Sequence, residues 1–142
     1  MTSSDRAEPS ATPGEPVRPP LPLLVAAVLV GMEALILVVY GVLELTSLTG
    51  ARATMVLTST LFFLVYGAGL ATFAWLLHRL RSWSRAPVVL AQLIQLGVAW
   101  SFRDGTTTLL AVVLAVVAVA VLAGVFHPDS LRAVERADAA PE

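Results

Sequence analysis

The first long apolar run of the chain reads LPLLVAAVLVGMEALILVVYGVLEL and occupies residues 21–45. As an α-helix, residues 23–45 span about 34 Å at about 1.5 Å per residue. The hydrocarbon core of a bilayer is about 30 Å thick, and a helix satisfies its own backbone hydrogen bonds inside it. Pro22 lies at the start of the run, where a missing N–H costs little. The run therefore predicts a helix that crosses a membrane.

Three further apolar runs follow, at residues 53–77, 86–102 and 106–126. Apolar residues make up 57% of the chain and charged residues 13%, whereas soluble domains average about 45–50% and about 25%. The runs are too long for strands, and they lack the alternation of membrane β-barrels. We therefore predict an all-α protein with four transmembrane helices.

The predicted connections are short, at residues 46–52, 78–85 and 103–105. Short connections make consecutive helices antiparallel neighbours, so we expect an up-down four-helix bundle over residues 21–126. Residues 1–20 are rich in Pro, Ser, Ala and acidic residues, and we predict a disordered tail there. Residues 127–142 form a mostly polar C-terminal tail, with a short amphipathic segment possible around Leu131 and Val134.

The basic residues indicate the orientation in the membrane. All nine are arginines, and only Arg52 and Arg103 lie on the side opposite to both tails and the second connection. Cytoplasmic loops are the arginine-rich ones. We therefore predict a multi-pass protein of a bacterial inner membrane with both termini in the cytoplasm.

The polar residues inside the predicted spans form two stripes. Glu33, Tyr40 and Glu44 share one face of the first span, and Gln92, Gln95 and Arg103 share one face of the third. A carboxyl at the bilayer centre costs about 2.5–3.5 kcal/mol on insertion scales, so Glu33 should face the bundle interior. We expect Glu33 to pair with Gln92 or Gln95, and Arg103 to lie within reach of Glu44.

Glu33 has two interpretations. It is either a proton or cation site of a small transporter or an ion-conducting protein, or a carboxyl that holds helices together. The structural interpretation is favoured because no second ionisable residue lies at the same depth.

Arg79, Arg81 and Arg85 flank Trp83 at a predicted cytoplasmic helix end. They are expected to set the topology, with binding to anionic lipid headgroups or to an acidic partner surface as alternatives. Three arginines at a membrane surface make a poor nucleic-acid footprint, so no nucleic-acid partner is expected.

The sequence contains no pattern typical of an enzyme or a metalloprotein. There is no Cys, no serine-hydrolase arrangement and no glycine-rich nucleotide loop. His78 and His127 lie at helix ends without further ligands between them. We therefore expect no metal, no cofactor and no enzymatic activity.

Residues 79–102, RLRSWSRAPVVLAQLIQLGVAWSF, are followed by an apolar run that ends in His127-Pro128. This C-terminal half resembles a group of small actinobacterial four-span integral membrane proteins of unknown function. The resemblance implies a four-span protein of the cell membrane, and it carries over no function. Small multidrug-resistance transporters also place one Glu in their first span, but this chain lacks their following motifs.

We expect an accessory, scaffolding or assembly protein that acts through helix–helix contacts, as a homo-oligomer or within a larger membrane complex. The alternative is a small proton-coupled transporter or ion-conducting protein that uses Glu33. A third class is a lipid-associated regulator that acts through Arg79, Arg81 and Arg85.

Overall fold

The computed structural model describes residues 18–47 and 50–139. The described residues form five α-helices and no strand, which confirms the all-α prediction. The helices are α1 (Leu21–Glu44), α2 (Ala53–His78), α3 (Arg85–Ser101), α4 (Thr108–Phe126) and α5 (Pro128–Ala139). Short 3₁₀ turns lie in the connections. Residues 1–17 of the predicted disordered tail and residues 140–142 lie outside the described part.

Helices α1 to α4 occupy the four apolar runs, and local chemistry sets several of their ends. The Leu24 N–H donates to the Pro20 carbonyl at 3.0 Å, which closes the first turn of α1 around Pro22. Helix α4 ends at His127, whose ψ of 138° is extended. Pro128 explains this, because the residue before a proline is disfavoured in the helical region.

Helix α2 ends in a Schellman motif that lacks the usual glycine. The Arg81 N–H donates to the Leu76 carbonyl at 3.1 Å, and the Leu80 N–H donates to the Leu77 carbonyl at 3.1 Å. Leu80 has a φ of 58°, a conformation that costs a non-glycine residue about 1–2 kcal/mol. Its side chain is buried, and this burial offsets the backbone strain.

Helices α1 and α2 form the most extensive contact in the molecule. A Cβ at Gly67 would lie 2.8 Å from Val38 Cγ2, and one at Gly41 would lie 3.1 Å from Phe63 Cβ. Small residues at these two points let the backbones approach closely. Later residues of α1 meet earlier residues of α2, so the two helices are antiparallel.

Helix α4 packs against both α1 and α3, whereas α2 and α3 touch less. A Cβ at Gly124 would lie 2.6 Å from the Pro22 carbonyl oxygen, so α4 needs a glycine where it crosses the start of α1. The described parts of α1 and α3 share no extensive backbone contact. These two helices therefore lie on opposite sides of the helix assembly.

The polar C-terminal tail contains a packed helix. Helix α5 buries Ser130, Ala133 and Val134 and exposes Arg132 and Arg136. It touches α4, α1 and the 3₁₀ turn before α3. The sequence had indicated only a possible amphipathic segment here, because its apolar face is too short to predict docking.

Three helices are long and apolar enough to cross a membrane: Leu21–Ser47, Ala53–His78 and Gly105–Phe126. This supports a membrane location. Helix α3 coincides with the predicted third span, but its 17 residues reach only about 26 Å. It therefore lies at the lower limit of the lengths that span a bilayer.

Candidate functional site

Glu33, in the middle of α1, is held by two glutamine side chains of α3. Gln92 Nε2 donates to Glu33 Oε2 at 2.9 Å, and Gln95 Nε2 donates to Glu33 Oε1 at 2.7 Å. The structure thus contains the contact expected from the two polar stripes, with both glutamines engaged. We refer to Glu33, Gln92 and Gln95 as the clasp.

The clasp joins three helices. Gln95 Nε2 also donates to the backbone carbonyl of Leu114 in α4, at 3.2 Å. An amide nitrogen carries two protons, so the donor group of Gln95 is fully used. Helices α1 and α3 lie on opposite sides of the assembly, so only long side chains such as glutamine reach across to Glu33.

One acceptor within the clasp has no partner. Gln92 is 0% exposed, and its Oε1 atom is buried without a hydrogen bond. Leaving a buried acceptor unpaired costs about 1–3 kcal/mol. Glu33 and Gln95 are only partly buried. The clasp therefore contains a carboxyl and an amide oxygen that has no hydrogen-bond partner.

The second carboxyl of the α1 stripe has a different partner from the one expected. Glu44 Oε1 accepts a hydrogen bond from Ser59 Oγ of α2 at 2.6 Å, and Glu44 Oε2 is buried without a partner. Tyr40 is exposed, and its ring packs edge-on against Phe63 with centroids 5.1 Å apart. This part of the stripe therefore faces α2 rather than α3.

The expected pairing of Arg103 with Glu44 is wrong. Helix α3 ends at Ser101, so Arg103 does not continue the stripe of Gln92 and Gln95. Its guanidinium lies over the Trp100 ring at 4.3 Å, and its Nε is 3.7 Å from Asp104 Oδ2.

A cavity of about 420 Å³ lies beside Glu44, and Arg52 lines it together with Glu44 and Tyr40. Arg52 is therefore the basic residue that shares an environment with Glu44. Sequence reasoning missed Ser59, because a serine among the neighbouring threonines of α2 is typical of local backbone hydrogen bonds. The register of α1 against α2 was needed to find it.

The four residues of the predicted lipid or partner contact separate into two groups. Arg79 lies over the Trp75 ring at 4.2 Å, and Arg81 is exposed. Trp83 is also exposed, and its ring is perpendicular to that of Phe73. Arg85 instead points to α5, where its Nη2 donates to the Ser130 carbonyl at 2.9 Å. Its Nε is buried without a partner.

The described residues contain no group of three or more side chains that could hold a metal ion. His127 Nδ1 lies 3.5 Å from Asp129 Oδ2 at the start of α5, and the Asp129 N–H donates to the same nitrogen at 3.3 Å. This histidine therefore has a local role at the break between α4 and α5.

The chain matches no protein-family model, no curated protein and no solved structure.

Proposed function

We propose that this chain is an accessory or assembly protein of a bacterial inner membrane that acts through helix–helix contacts. In this proposal α1 to α4 cross the bilayer as an antiparallel four-helix bundle, and α5 lies at the cytoplasmic surface with both termini. The protein acts as a homo-oligomer or within a larger membrane complex, and it is not an enzyme.

The distribution of apolar surface supports the membrane location. Large exposed apolar side chains extend from Leu21 to Leu43 on α1, from Met55 to Trp75 on α2 and from Leu109 to Phe126 on α4. A soluble monomer rarely exposes contiguous apolar patches of this extent. In lipid the same surface carries no penalty. Helix α3 crosses as a short fourth span.

The arrangement of arginines supports the cytoplasmic side for α5. The exposed Arg132 and Arg136 of α5 lie at the same end of the molecule as Arg79 and Arg81, because α5 touches the turn that follows them. Arg52 and Arg103 lie at the other end. The positive-inside rule places the arginine-rich end in the cytoplasm. The resemblance of residues 79–102 to small actinobacterial membrane proteins supports the membrane location.

The observation that carries the accessory function is the clasp itself. Both oxygens of Glu33 accept hydrogen bonds from glutamines, and one of these glutamines also binds α4. The carboxyl, which is unfavourable within a membrane, thus serves to join three helices through its hydrogen bonds. A carboxyl committed in this way favours a rigid scaffold whose outer faces contact other membrane helices.

Proton-coupled transport or ion conduction is the second candidate, and the unpaired Oε1 of Gln92 favours it. Once the Gln92 amide turns over, a protonated Glu33 carboxyl could donate to this acceptor, so the clasp offers a place for one proton.

Glu33→Gln separates the two functions. The substituted amide can still accept from Gln95, and it can donate to Gln92 Oε1 once the Gln92 amide turns over, so we expect the variant to fold. The measurements are thermal unfolding in mild detergent and dye-reported proton flux in liposomes. The accessory function predicts no flux from the wild type; flux that disappears in a stable Glu33→Gln variant would establish transport instead.

Glu33→Leu is the matched control, because it removes both carboxyl oxygens that accept from Gln92 and Gln95. It should lower the unfolding temperature well below that of Glu33→Gln. Membrane insertion is measured separately by alkaline extraction of cell membranes and by reporter fusions at both termini. Recovery of the wild type in the alkaline supernatant, or termini on opposite sides, contradicts the proposed topology.

A further inference from the structure

We infer that the groove between α3, α4 and α5 binds one anionic phospholipid, with its phosphate on Arg85 and an acyl chain along α3. This inference rests on the proposed membrane location. The groove has a volume of about 390 Å³ and is open on one side, within the size range of ligand pockets. Three helices thus form a defined recess rather than a flat surface.

The groove has one charged residue at one end and an apolar lining elsewhere. Arg85 is the one charged or polar residue among the described residues that line it. The rest of the wall is apolar, with Leu90 and Leu93 from α3, Phe126 from α4 and Leu131 from α5. One cation at the end of a continuous apolar wall is complementary to an amphiphile with one anionic group.

Arg85 retains binding capacity for that anionic group. Its Nη2 donates to the Ser130 carbonyl at 2.9 Å, and its Nε is buried, so the terminal Nη groups of this half-buried side chain are the ones that a phosphate would contact. Among the described residues, no carboxylate oxygen lies within ion-pair distance of the guanidinium. A guanidinium carries five N–H donors in a fixed fork that suits phosphate. The charge of Arg85 is therefore held in place by a neutral carbonyl and left without a counter-ion.

The depth of the groove fits a lipid better than a peptide. Leu93 lies two turns beyond Arg85 on the same face of α3, about 12 Å deeper along the helix axis. In the proposed topology Arg85 lies at the cytoplasmic interface, so Leu93 lies within the hydrocarbon. An acyl chain needs no hydrogen bonds there, whereas a peptide would have to satisfy its backbone groups. Anionic headgroups are abundant at the cytoplasmic leaflet and favour basic sites.

Retention of added lipid tests this site in the full-length protein. The protein is purified in mild detergent, stripped of lipid, and titrated with phosphatidylglycerol or with phosphatidylcholine of the same chains. Native mass spectrometry counts the bound lipids. We expect one retained phosphatidylglycerol, weaker retention of phosphatidylcholine, and a loss of affinity of at least about tenfold in Arg85→Gln.

Arg81→Gln is the matched control, since Arg81 lies at the same end of the molecule, is exposed, and carries the same charge. It should retain the lipid. Equal losses in Arg81→Gln and Arg85→Gln would show general surface attraction only, and equal binding of both lipids would show an apolar groove without headgroup recognition. Either result overturns the inference.

Arg85→Gln also removes the hydrogen bond to α5 and can therefore destabilise the fold. A second variant tests the groove without this change. Leu93→Trp leaves Arg85 intact and fills the groove from an exposed position. It should reduce lipid retention without lowering the unfolding temperature; unchanged retention overturns the inference. The same preparations are checked by alkaline extraction. Failure of lipid binding in a protein that stays in the membrane therefore leaves the proposed location intact.

Discussion

Gln92 donates to Glu33 across the interior of the helix assembly at 2.9 Å, yet the other atom of the same amide, Oε1, is buried without a partner. Gln95 makes two hydrogen bonds with one nitrogen, to Glu33 and to the Leu114 carbonyl. The two glutamines are therefore unequal, although they are three residues apart on one helix. This inequality is testable.

We expect Gln95→Leu to destabilise the protein more than Gln92→Leu. Gln95→Leu removes two hydrogen bonds between helices, which together contribute about 1–2 kcal/mol in a membrane protein. Gln92→Leu removes one bond but also removes an unpaired buried acceptor, so the two effects partly cancel. Unfolding of both variants in the same detergent gives the order. The reverse order would show that Gln92 Oε1 has a partner, such as an ordered water.

Glu44 should be coupled to Ser59 and not to Arg103. The hydrogen bond of 2.6 Å from Ser59 Oγ predicts a coupling free energy of about 1 kcal/mol in a double-mutant cycle of Glu44→Ala with Ser59→Ala. The cycle of Glu44→Ala with Arg103→Gln serves as the control and should give no coupling within about 0.3 kcal/mol. Coupling in the second cycle would restore the pairing that the sequence had indicated.

Gly67→Ala should destabilise the contact of α1 with α2 by about 1–3 kcal/mol. The added Cβ would lie 2.8 Å from Val38 Cγ2 and 3.1 Å from the Ala34 carbonyl oxygen, and the backbone cannot give way. Gly69→Ala is the matched control two residues away, where a Cβ meets nothing within 4 Å. There alanine should be neutral or slightly stabilising, because it is the better helix former. Equal effects at the two positions would contradict the antiparallel register.

Leu80 offers a test of backbone strain. Leu80→Ala removes buried side-chain contacts and keeps a non-glycine residue at a φ of 58°. Leu80→Gly removes these contacts and those of the Cβ as well, but it releases about 1 kcal/mol of backbone strain. We therefore expect the glycine variant to be at least as stable as the alanine variant, although glycine also gains entropy in the unfolded chain. A markedly less stable glycine variant would show that the strain is small. Thermal unfolding of both variants decides this.

The positions of the helices could be predicted closely, since they follow from properties local to the chain. Each apolar run is longer than a strand, and Pro22 and Pro128 mark helix ends. The contact of Glu33 with the glutamines could also be predicted, because Glu33 needs a polar partner and the glutamines of the third run lie at a similar depth. The length of α3, 17 residues, could also be predicted, because the third apolar run is the shortest of the four.

The partner of Glu44 and the role of Arg85 could not be predicted in this way. Helical periodicity places side chains on one face of a helix, but it does not say which other helix that face meets. Arg103 would lie on the same face as Gln92 only if α3 continued past Ser101. The helix ends at Ser101, so Arg103 points elsewhere. Arg85 binds the Ser130 carbonyl only because α5 folds back onto the start of α3.

By itself the sequence established where the chain is helical, how long its apolar stretches are, and that a carboxyl in the middle of the first stretch needs a polar partner. The tertiary structure added which helices are neighbours and how each is rotated about its axis. The physical reason is that hydrophobic length and helix ends depend on residues close together in the chain. Pairings such as Glu44 with Ser59 depend on the close approach that Gly41 and Gly67 permit between two separate helices.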